Sequence, residues 1–178
     1  AHKIEMIVNN MPVDELETFV HVSDIEIPVF RSDEYITRTL LSINGIFDIN
    51  HKFKIEVENE FSCLQPEHED TLLMRAASQS DMSIVKLLIE SQASVTHRSM
   101  NGENALVRAC SFFNSETPLI VDYLLSYMTE GQVNHGCICG SALDNAVAVF
   151  CEDRIEEEST EKCVDTIAQS AAYMSIES

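Results

Sequence analysis

Thr71-Leu72-Leu73-Met74-Arg75-Ala76-Ala77 decides how this chain is read, because its pattern returns twice. The second copy is Asn104-Ala105-Leu106-Val107-Arg108-Ala109-Cys110, and the third is Ser141-Ala142-Leu143-Asp144-Asn145-Ala146-Val147. Leu73 and Leu106 are 33 residues apart, Leu106 and Leu143 are 37. Each copy offers a small polar residue, a Leu two positions on, and a pair of small residues where a neighbouring helix can press close. Self-similarity at this period predicts stacked helical repeats, since no single unit can bury its apolar face alone.

Working outward from the first copy, Ile84-Val85-Lys86-Leu87-Leu88-Ile89 spaces its apolar residues as a second helix would. Val95-Thr96-His97 follows, and then Asn101-Gly102, a dipeptide suited to a tight turn with positive φ. In the next copy the second helix is expected over Leu119 to Tyr127, with Pro118 at its first turn, where a missing N–H costs nothing. Val133-Asn134-His135 matches Val95-Thr96-His97, and an insertion from Phe113 to Pro118 explains the longer spacing. Upstream, Tyr35 to Leu41 reads as a second helix and Asn44 to His51 as the exit that follows it. A first helix is expected over Val13 to Val22, with Leu16, Phe19 and Val20 inward, and a still earlier helix over His2 to Asn9. Phe53, Ile55 and Val57 alternate with Lys54, Glu56 and Glu58, which predicts a short strand in an enlarged hairpin at 52–68. Beyond an acidic stretch from Cys151 to Glu161, Cys163 to Ala171 is amphipathic and reads as one more second helix.

These residues resemble ankyrin repeats, most closely from Asp70 to Asn104. The resemblance implies an all-α, ankyrin-like helical repeat solenoid of about four units with β-hairpin fingers. The units are placed at 11–51, 68–99, 102–136 and 140–172, in a single domain spanning 1–178. The chain departs from the family pattern in places. The usual proline after the small polar residue is Leu72, Ala105 or Ala142, and the usual histidine is Met74, Val107 or Asp144. The leucine before the small pair is Arg75, Arg108 or Asn145. These changes predict weaker hydrogen bonding between repeats than the family normally makes.

Composition narrows the chemistry. Eleven basic against thirty acidic residues leave a net charge of −19, which argues against nucleic acid or an anionic membrane as a direct partner and favours basic ligands. An apolar fraction of 45% supports a globular core, and no apolar run is long enough for a membrane span. The start, Ala1-His2-Lys3, has neither an initiating Met nor an apolar signal region, which predicts a segment of a longer chain. Six Cys are spread irregularly, and reduced thiols buried as small apolar residues fit an intracellular protein, cytoplasmic or nuclear.

No phosphate-binding glycine loop and no serine elbow is present, so the expectation is a non-enzymatic protein without cofactors. His51, His97 and His135 recur at one repeat position, which makes them structural echoes. His135, Cys137 and Cys139 form a weak zinc candidate, because Cys-x-Cys is not the usual knuckle spacing and no fourth ligand is evident.

By the resemblance, ligands meet the concave face made by fingers and first helices. Its variable slots fall on Glu67, Glu69 and Asp70 in one finger and on Arg98, Met100, Asn101 and Glu103 in the next. First-helix slots fall on Ser78, Gln79, Ser111, Phe112, Asp144 and Asn145. Carboxylates there suit Lys or Arg, and Met100 and Phe112 are apolar anchors. The expected partner is a basic peptide or protein segment. Two alternatives use the same stack: an acidic inhibitor masking the DNA-binding surface of a transcription factor, or a scaffold packing against other domains of a longer chain.

Overall fold

In the computed structural model of the chain, residues 28–29, 31–42, 48–56, 67–112, 114–138, 140–151 and 161–169 are described. The helices expected over 2–9 and 13–22 lie outside them. The first described helix, α1 (Glu34–Ser42), buries Ile36 and Leu40 one turn apart. Two strands follow, β1 (Lys52–Glu56) and β2 (Glu67–Thr71), antiparallel, with Lys52 opposite Thr71 and Phe53 opposite Asp70. Phe53 turns into the core.

The recurrent pattern then shows its physical purpose. Its small polar residue is a helix N-cap each time. The Thr71 hydroxyl accepts from Met74 N–H at 3.3 Å and opens α2 (Leu72–Ser78). The Asn104 side-chain oxygen accepts from Val107 N–H at 2.9 Å and opens α4 (Ala105–Ser111). Ser141 accepts from Asp144 N–H at 3.2 Å and opens α7 (Ala142–Cys151), while the Asp144 carboxylate accepts from Ser141 N–H at 2.7 Å. That reciprocal pair is a capping box, which satisfies two of the donors a helix start leaves unpaired.

The remaining helices are α3 (Met82–Glu90), capped by Asp81 through Ile84 N–H, α5 (Thr117–Leu125), the short α6 (Glu130–Val133) and α8 at 161–169. Packing arranges them in two rows. α2, α4 and α7 lie side by side in an inner row, and α1, α3 and α5 form an outer row against it. Leu73 and Leu106 are buried, and the small pairs Ala76-Ala77 and Ala109-Cys110 are fully buried, which lets neighbouring inner helices approach closely. Leu143 is partly buried against the same core. The chain is mostly helical, with one small two-stranded sheet among the described residues.

Turns between the helices are stitched across repeats. The Ser80 and Thr117 hydroxyls lie 2.9 Å apart, and Ser94 N–H donates to the Asn50 side chain at 2.8 Å. Gly102 has φ +82°, as the Asn-Gly turn requires. Among the described residues, no helix is long and apolar enough to cross a membrane.

Candidate functional site

The fingers before α4 and α7 run beside each other. Met100 is at the tip of one and Ile138 at the tip of the next, and Ile138 N–H donates to the Asn101 carbonyl at 3.3 Å. Both side chains face outward, 63% and 68% exposed. Phe112, at the C-cap of α4, is 53% exposed. Arg98 and Asp144 are exposed, while Glu69 is half-buried in β2 opposite Lys54. Only the backbone of Glu67, at the start of β2, is described.

Ile138 escaped the sequence reading, although a signal was there. An apolar residue stands between turn formers shortly before the helix cap in both fingers, Met100 before Asn104 and Ile138 before Ser141. A second set of exposed apolar side chains, Tyr35, Leu119 and Tyr127, belongs to the outer row.

Three of the expected surface residues are not at the surface. Asp70, Asn101 and Glu103 are all buried, and two of them serve Arg108. Arg108 Nη2 donates to both carboxylate oxygens of Asp70 at 2.8 Å. Its Nε stands 3.5 Å from Glu103 Oε2, within ion-pairing range though long for a hydrogen bond. The Ser99 hydroxyl donates to the same Glu103 oxygen at 3.3 Å. A charge can be carried into a core only when it is paired, and here each partner comes from a different finger. Two of the carboxylates expected to meet a ligand, Asp70 and Glu103, are therefore committed to Arg108. Arg108 stands where the family has leucine and supplies a charged link across repeats to Asp70.

The helix-end residues are partly engaged as well. The Ser78 hydroxyl donates to the Arg75 carbonyl at 2.8 Å, and Gln79 is the half-buried C-cap of α2. The Ser111 hydroxyl is within hydrogen-bond reach of the Val107 carbonyl, at 2.9 Å, and of Asn145 Oδ1, at 3.3 Å. Asn145 also donates to the Ser141 carbonyl at 2.8 Å. Asp144 is held below its usual carboxylate range, first by the Ser141 backbone N–H and then by the Ser141 hydroxyl.

At the zinc candidate, the Cys137 thiol donates to the Gly140 carbonyl at 2.9 Å inside a tight turn whose Cys137 and Gly140 backbones form a bridge. His135 is half-buried beside Gly102, and Cys139 lies outside the described residues. Among the described residues, no three His, Cys, Asp or Glu side chains gather in a way that would hold a metal ion.

A family model for the ankyrin repeat matches residues 68–100. No curated protein matches the chain. Ankyrin repeats generally bind other proteins and are typically non-enzymatic. The matched stretch runs from β2 through the capped α2, the outer α3 and on to the tip of the next finger at Met100. In that order of parts, residues 68–100 are similar to an ankyrin repeat, which supports membership of that family.

Proposed function

We propose that the chain is a recognition module of about four ankyrin-like units that takes a basic, extended protein segment along its fingers. The observation that carries this reading is the pair of exposed apolar fingertips, Met100 and Ile138, on a protein of net charge −19. Apolar anchors flanked by polar groups supply most of the affinity of a peptide-binding surface, while charge of one sign steers the partner in. Phe112, Arg98, Gln79, Glu69 and Asp144 border the fingertips or the inner-row helix ends and are the remaining candidate contacts. Asp70, Asn101 and Glu103 drop out of this surface because they are buried.

The test is binding of basic and neutral peptides to the purified chain at two salt concentrations. Selected basic peptides carrying an apolar residue are expected to bind, weaker at high salt because exposed ion pairs are screened. Met100→Ser and Ile138→Ser are each expected to weaken binding by roughly tenfold. Equal affinity for all peptides at both salts, or no effect of either fingertip change, would overturn the reading.

One observation favours the scaffold alternative as a second reading. Val147 occupies the slot filled by Ala77 and Cys110 in the other two copies, yet it is 40% exposed where they are fully buried. A further helical unit packed on α7 would cover it. Cross-linking within a longer parent protein would place another domain on this face, and crosslinks confined to the fingers would exclude it.

A further inference from the structure

The outer row carries a second surface, which shares no residue with the fingertips. On α5, Leu119 and Tyr123 stand one turn apart. Tyr127 continues their line in the turn that closes the helix, where its N–H donates to the Leu124 carbonyl at 3.0 Å. Leu119 and Tyr127 are exposed and Tyr123 is half-buried. On α3, Met82, Lys86 and Glu90 repeat the same spacing. We propose that these two lines of side chains form a docking groove for a basic amphipathic helix of another protein.

The two lines lie in register. Glu116, at the N-cap of α5, reaches α3 through Oε2, which accepts from Met82 N–H at 3.4 Å. Further along, Lys86 Nζ stands 5.9 Å from the Tyr123 ring centroid. Tyr127 meets Tyr123 edge to face, with ring centroids 5.2 Å apart, and its hydroxyl donates to the Tyr123 hydroxyl at 3.3 Å. These contacts position both tyrosines before a ligand arrives, so little rotamer freedom is left to lose on binding. Residues four apart rise about 6 Å along a helix, and a partner helix repeats its own apolar anchors at the same interval. Leucine and tyrosine side by side give apolar area with a polar edge, the composition that anchors interfaces.

Charge selects the occupant. Glu90, Glu116 and Asp122 are exposed along the two helices, and Lys86 is the one basic residue of α3 and α5. Arg or Lys beside the partner's apolar stripe pairs with these carboxylates, and a guanidinium can lie against the exposed Tyr127 ring. The same border repels an anionic membrane. A second copy of the chain, itself at net −19, would bring like charge against like.

The experiment displays a library of short helical peptides with leucines at i, i+4 and i+7 and with flanking positions varied among Arg, Lys, Glu and Ser. The library is selected on the purified chain. Arg and Lys are expected to be enriched at the flanks. In fluorescence anisotropy the selected peptides should bind Leu119→Ser and Tyr127→Ala roughly tenfold more weakly than the parent. Met100→Ser should bind them as the parent does, which separates this groove from the fingertip surface. Leu119 and Tyr127 are exposed, so both variants should keep a nearly unchanged urea midpoint. Enrichment of Glu or Ser, no enrichment, or binding unmoved by Leu119→Ser and Tyr127→Ala would overturn the proposal. So would a dimer in sedimentation that Leu119→Ser disperses, because the groove would then belong to a second copy.

Discussion

Arg108 shows how a single residue can move a surface into a core. In the family it would be leucine; here it brings a guanidinium between Asp70 and Glu103 and takes both carboxylates out of solvent. Removing one member of such a group strands the others as buried charges, at a cost of about 3–5 kcal/mol. Urea unfolding of Arg108→Met should show a loss of that size, and Asp70→Asn added to it should restore part of the loss, since one stranded charge is gone. Gly140 is a second position with no slack. Its φ is +101°, and a Cβ there would stand 2.9 Å from Asp144 Cβ. Gly140→Ala should cost about 1–3 kcal/mol by thermal or urea unfolding. Asp144 itself makes a pH prediction. Its carboxyl is depressed in the folded state, so its contribution is present above the unfolded value of about 3.9 and is lost as pH falls through the folded value. In acid titrations of stability followed by circular dichroism, Asp144→Asn should show a shallower loss below pH about 4 than the parent chain.

At the scale of the element, the three N-caps explain why the repeat was legible at all. Thr71, Asn104 and Ser141 are different residues, but each has a side-chain oxygen one bond from Cβ or its amide equivalent, which is what the first turn of a helix requires. Asn104 does more than cap, because its amide nitrogen donates to the Gln132 carbonyl at 3.0 Å and ties α4 to α6. Asn104→Ala should therefore destabilise by about 1–2 kcal/mol, at the upper end of cap losses. Helix exits are less conventional. Gln92 has φ +71° where the family's exit has glycine, and it is exposed. Gln92→Gly removes left-handed strain of about 1–2 kcal/mol against an entropic cost of about 0.5–1 kcal/mol, so a small gain in urea midpoint is expected.

For the whole molecule, the inner row α2–α4–α7 is the spine, with α4 touching both neighbours. Leu106, fully buried in α4, belongs to one continuous core that extends from Val29 to Ile167. Leu106→Ala should cost about 2–5 kcal/mol. Because repeat stability resides in contacts between neighbours, hydrogen exchange should speed up in α2 and α7 along with α4. An effect confined to α4 would mean that the rows are not coupled in this way.

The recurring cap, leucine and small pair determined the helical repeats and their order, since local capping and apolar spacing act within a few residues and need no fold to be read. The alternation at Phe53 likewise announced the strand that pairs as β1. Which finger residues stay exposed and which are buried was decided only by tertiary structure. Asp70 and Arg108 are 38 residues apart in sequence and meet at 2.8 Å only when one inner helix stacks on the previous finger. Cys110 and Cys163, 53 residues apart, likewise join one buried core only in the folded chain. Burial of a charge or a thiol depends on what long-range packing brings opposite it, and that partner is not written in the residue's own neighbourhood.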